Sequence, residues 1–160
     1  MALLPTSLEP LLARVSPSSA ELPPLRPTKI WDTTLTDDID ATHPQCLRAA
    51  LHLLNDDIDR AHTLAQDDEG DMTSNVCHAV LHRREGDYWN SKWWYRQIKH
   101  PLIEQSYGST ADAQAFVDAV ESAVAKRSST TACGAQNLDR LKRKQADELN
   151  NLVRFALDQR

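Results

Sequence analysis

Between residues 44 and 125 apolar side chains return every three or four positions, the spacing that lines one face of an α-helix. No stretch alternates with period two, so strands are not expected and the chain reads as all-α. Thr42-His43-Pro44 reads as a cap followed by proline in the first turn, and CLRAALHLL carries that helix to a break at Asn55-Asp56. A second helix is predicted over 58–66, and a third, capped by Ser74, over NVCHAVLHRRE. Gly86 ends the third, and a fourth spans 88–98 before His100-Pro101 stops it. Beyond the Tyr107-Gly108 turn, Ala113, Phe116, Val117, Val120 and Val124 predict a fifth helix capped by Thr110. Leu138, Leu141, Leu149, Leu152, Val153 and Ala156 mark a last one over 135–158. The expectation is five to six helices within one domain, residues 30–160.

Residues 1–29 follow different rules. Six of the eight prolines lie there, with Ser16, Ser18 and Ser19 between them. Proline fixes φ and removes a donor, so this leader is expected to be extended or wrapped over the surface, outside the hairpin core. At most one short helix is predicted in it, near 8–15. Residues 30–42 read as a polar connector anchored by Trp31.

The chain also repeats itself. A shift of thirty residues lays QCLRAALHLLNDDIDRAHTL over NVCHAVLHRREGDYWNSKWW, matching Ala49 with Ala79, Leu51 with Leu81, His52 with His82 and Asp57 with Asp87. Repeats of this size are supersecondary units that bury an apolar face by stacking on a neighbour. Two helical hairpins packed side by side are therefore expected.

The second unit, residues 75–101, resembles a tetratricopeptide repeat, and residues 45–68 do so weakly. Gly86-Asp87-Tyr88 falls at the turn of that pattern, Ala79 and Ser91 at its small positions, Tyr95 at an aromatic one, and Pro101 at its close. The run HRREGDYWNSKWWYRQIKHP also resembles segments of small uncharacterised bacterial and fungal proteins, which implies no activity. The tetratricopeptide resemblance implies packing residues, usually Leu and Tyr, at two places of the first helix. His78 and His82 hold them here, with Arg48 and His52 in the preceding unit.

Ionisable groups at inward positions are costly unless paired, so these places suggest a site. Residues four apart on a helix lie about 40° around it, so His78 and His82 share a face and Glu85 stays on it. His62, on the preceding helix, can point back at them. All six histidines lie between residues 43 and 100, with Trp89, Trp93 and Trp94. A polar pocket walled by tryptophans, taking an anionic small-molecule substrate, is the expected form. His52, His62, His78, His82 and Glu85 are the candidate acid–base groups, and Arg48, Arg83, Arg84, Trp93 and Trp94 the candidate substrate contacts.

Composition narrows the chemistry. The 160 residues carry a net charge of −5, and the basic run Arg140, Lys142, Arg143, Lys144 meets Asp147 and Glu148 at once. Nucleic acid, which needs a basic face, is disfavoured. No nucleophile motif, phosphate loop or dinucleotide fingerprint is present, leaving lyase, isomerase, dehydratase or cyclase chemistry without an organic cofactor. Two alternatives stand beside it: an interaction module with a groove between hairpins, and a divalent metal at His78 and His82 with His62 or Glu85. The metal reading lacks the glutamate of the zinc helix motif His-Glu-x-x-His, because Ala79 follows His78. Three widely spaced cysteines suit a reducing compartment, and prolines interrupt the apolar N-terminus, so neither a signal peptide nor a membrane span is expected and the cytoplasm is the default.

Overall fold

The computed structural model describes residues 4–126 and 132–159. Among the described residues there are nine α-helices and no strand. They are α1 (Glu9–Arg14), α2 (Thr36–Asp40), α3 (Gln45–Leu54), α4 (Ile58–Gln66), α5 (Met72–Glu85), α6 (Tyr88–Gln97), α7 (Pro101–Tyr107), α8 (Thr110–Ala125) and α9 (Ala132–Asp158). The count exceeds the expected five to six because α1, α2 and α7 are short. Pro101, read from the sequence as a stop, begins α7: His100 Nδ1 accepts the Leu102 N–H, and proline in a first turn costs no hydrogen bond. None of the described helices is long and apolar enough to cross a membrane.

The two hairpins turn alike. Asp56 and Gly86, equivalent under the thirty-residue shift, both take positive φ, at 62° and 97°. In each, the next amide reaches back to a histidine carbonyl, Asp57 to His52 at 2.9 Å and Asp87 to His82 at 2.8 Å. Asp57 and Asp87 then cap α4 and α6 through the Arg60 and Asn90 amides. Glycine at 86 suits the positive φ, and a Cβ there would sit 2.7 Å from the Arg26 guanidinium carbon, the flexible end of a side chain that would have to shift. Three expected caps move. Asp71, not Ser74, caps α5; Ser109, not Thr110, caps α8; and α3 starts after Pro44 with no side-chain cap, while Thr42 Oγ donates to the Ile39 carbonyl.

The leader does not lie outside the core. Leu8, Leu11, Val15 and Leu25 are buried in it. Arg14 donates to the Leu54 carbonyl at 2.8 Å and to Asp56 at 2.5 Å, and its guanidinium covers the Trp31 ring. The Pro24 carbonyl accepts from both Arg84 and Gln145. Prolines set this segment's path, but its leucines recur at helical spacing and drive it inward.

Helix α5 runs through the middle, packed by α3, α4, α6 and α9, and residues Thr73–Arg84 are all buried. A helix enclosed on every side has no polar face to give to water. Its polar side chains must find partners inside.

Candidate functional site

Three sets of partners surround α5, and helical geometry sorts them. At 100° per residue, Arg83 and Arg84 stand roughly 140° and 240° around from His78, while His82 and Glu85 stay within about 40° of it. The arginines therefore leave the histidine face. Arg83 donates to Tyr95 at 3.1 Å, to Tyr107 at 3.2 Å and, through both terminal nitrogens, to Glu148. Tyr95 and Tyr107 donate to the same carboxylate. Burial opposes the Glu148 charge, yet Arg83 and the tyrosines hold the carboxyl below its usual range, so the pair stays ionised. Arg84 bonds the Leu53 carbonyl and, at 2.5 Å, Asp56. Neither arginine is available to a substrate, and both are correction rather than confirmation of the expected binding role. Arg48 is likewise occupied, donating to the Thr42 carbonyl at 3.2 Å with His43 close by.

The third set is the histidine face. His78 and His82 lie parallel, ring centroids 5.6 Å apart, and His62 from α4 meets both edge-on at 5.4 and 5.0 Å. One ring nitrogen from each histidine lies within 4.8 Å of one from each of the others. His82 Nδ1 is 2.5 Å from Glu85 Oε1, and its Nε2 is 3.2 Å from the Asn90 amide nitrogen. That pairing makes Nδ1 the protonated nitrogen and Nε2 the acceptor. Trp94 stacks on His78 at 4.3 Å, with Trp93 edge-on behind it. His78 Nδ1 is buried and has no hydrogen-bond partner. Burial, then the neighbouring His82 and His62, lower the His78 pKa to about 4. At neutral pH it is an uncharged imidazole with a free lone pair.

His52 does not join this cluster. It sits buried in the first hairpin with Nε2 2.9 Å from Asp40 and Nδ1 3.5 Å from Asp57. Burial lowers its pKa although both carboxylates oppose the shift. The nominated residues thus divide: His62, His78, His82, Glu85 and Trp94 come together, Trp93 stands behind Trp94, and His52, Arg48, Arg83 and Arg84 serve elsewhere. Asn90 was missed, since nothing in its local sequence marks it as the residue on His82.

The expected tryptophan-walled pocket does not coincide with the large cleft seen among the described residues. That cleft, about 1380 Å³, is walled by residues 24–30, by Asp56–Asp59 and by parts of α8 and α9, and it contains no tryptophan. Of the nominated residues it touches only Glu85. Cys46 and Cys77 are buried, with burial raising both thiols, the former to about 11, so neither is a nucleophile.

No family model, curated protein or solved structure matches the chain. Its site has to be read from its own geometry.

Proposed function

We propose that this chain is a divalent-metal-binding helical protein whose ligands are His62, His78 and His82, with Glu85 holding His82 in place. The observation that carries the reading is the mutual closeness of three imidazole nitrogens, together with a buried, unpartnered nitrogen on His78. Metal ligands of this kind must be neutral, and the lowered His78 pKa keeps it so. The carboxylate on the far nitrogen of His82 is the usual outer support of a metal-bound histidine, fixing its tautomer. Tetrahedral bonds of about 2.0–2.1 Å need donors about 3.3 Å apart, so nitrogens now within 4.8 Å of one another would close by up to about 1.5 Å, led by the half-exposed His62. Zinc, cobalt or nickel suits imidazole donors.

Protein loaded and then desalted should hold one equivalent of Zn²⁺ by elemental analysis and lose it on His78→Ala or His82→Ala. Zinc at about 1,000-fold over its Kd should raise stability by roughly 4 kcal/mol. Unchanged melting with zinc and no retained metal would overturn the reading.

A second reading, acid–base catalysis on a small molecule of lyase, isomerase, dehydratase or cyclase type, is favoured by the 2.5 Å His82–Glu85 pair alone. Its activity would survive a chelator. For the scaffold we propose tetratricopeptide-like hairpins, a reading supported by the matched turns at Asp56 and Gly86 and by burial of both Ala49 and Ala79.

A further inference from the structure

We infer that a divalent ion in this cluster keeps one coordination position open toward solvent, on the His62–Glu85 side, and that the position takes a small exogenous ligand. Water occupies it at rest, and a small monoanion such as a carboxylate displaces the water. The inference rests on the metal-site reading above and adds what the metal is exposed to.

Three imidazoles give three donors, whereas a structural tetrahedral site is closed by a fourth protein ligand. Each neighbouring group is otherwise engaged. Glu85 is the nearest carboxylate, yet its Oε1 is committed to His82 Nδ1 at 2.5 Å and its Oε2 is 4.0 Å from His62 Nδ1. It shares a compact donor set with His82 and Asp87, and not with the three histidines together, among the described residues. Asp87 caps α6. Cys77, although next to His78 in the chain, directs its thiol to the Cys46 carbonyl. Trp94 covers the His78 ring and offers no ligand atom there. Asn90 contributes an amide that meets His82 Nε2, the nitrogen a metal would claim, so it has to yield when the ion enters.

Exposure supplies the direction. His78 and His82 are 2% and 4% exposed, whereas the side chains of His62 and Glu85 are 37% and 32% exposed. The ion therefore sits between a sealed inner pair and a wet rim, and the missing ligand comes from the rim. Charge supplies the ligand class. Neutral imidazoles leave the full double charge on the ion, and the two carboxylates near His82 are engaged elsewhere, Glu85 on its Nδ1 and Asp87 in capping α6, so an entering monoanion still meets a cation.

The test uses cobalt(II) bound to the full-length chain as a spectroscopic probe, with sodium azide and sodium acetate as ligands. Cobalt should bind one to one with visible d–d bands, and azide should shift those bands saturably. His78→Ala should lose them. In Glu85→Gln, cobalt should bind about 10–100-fold more weakly, through loss of the partner that orients His82, while the azide shift persists. Cobalt bands that ignore both anions would overturn the open position and leave the metal reading standing. An azide response found only in Glu85→Gln would make the carboxylate the fourth ligand, and would also overturn it. Absence of cobalt bands altogether would remove the metal reading and this inference together.

Discussion

The two hairpins share a backbone plan and differ in what covers them. In the first, His52 is roofed by α2, whose Asp40 takes its Nε2, while Asp57 faces its Nδ1. The leader completes the seal, with Arg14 on the Leu54 carbonyl and on Asp56. In the second hairpin, His82 occupies the equivalent place, but its partner Glu85 is only one turn away and part of that partner reaches solvent. Equivalent positions thus hold a core histidine bonded to Asp40 through one ring nitrogen in one hairpin, and part of a three-histidine cluster with a half-exposed rim in the other. Identity of position does not carry identity of role. The neighbours decide it.

Removing the cover should have the largest effect. Deleting residues 1–15 strips Leu8, Leu11 and Val15 from the core and the Arg14 guanidinium from the first hairpin. Burial of three such side chains is worth about 5 kcal/mol or more, so the truncated chain should lose its cooperative thermal transition or melt far lower. A deletion that melts like the full chain would show that the leader merely lies against the hairpins.

Acid should act mainly on the second hairpin. The folded pKa of His78, about 4, lies below the ordinary histidine value of 6.5, so the unfolded chain binds a proton that the fold refuses. Stability from this group is full above about pH 6.5 and is lost as pH falls toward 4, by roughly 3 kcal/mol in total. His52 and His100, both lowered by burial, act in the same direction. Urea unfolding in chelator at pH 7.5 and pH 4.5 measures the loss, and His78→Leu should shrink it. If that variant keeps the full acid sensitivity, the sensitivity originates elsewhere.

Much of this was legible beforehand. Periodicity and breaks located α3, α4, α5, α6, α8 and α9, because long helices with one buried face advertise themselves. The i, i+4, i+7 spacing placed His78, His82 and Glu85 on one face. The leader misled because six prolines outweighed the helical spacing of Leu8, Leu11, Leu12 and Val15. Arg83 and Arg84 misled although the repeat held the answer: the thirty-residue shift lays them on Leu53 and Leu54, core positions of the first hairpin. Their partners, Glu148 and Asp56, lie 65 and 28 residues away in sequence, beyond any local pattern. The fate of His52 was set by Asp40, twelve residues upstream on a helix too short to predict.

The smallest effect separates the hairpins most sharply, because its sign differs between them. His52→Leu removes a ring hydrogen-bonded to Asp40 and leaves the buried Asp57 carboxylate facing a hydrocarbon. It should destabilise by about 1–2 kcal/mol. His78→Leu removes a buried nitrogen that has no partner and keeps an apolar body against Trp94. In metal-free buffer it should stabilise by about 1 kcal/mol. Zinc should reverse the order: the His52 variant still gains stability on adding metal, and the His78 variant gains none. Urea melts of the two variants with and without zinc provide all four numbers. Equal signs in the absence of zinc would mean that His78 has a structural partner like that of His52, and the contrast between the hairpins would fail at its centre.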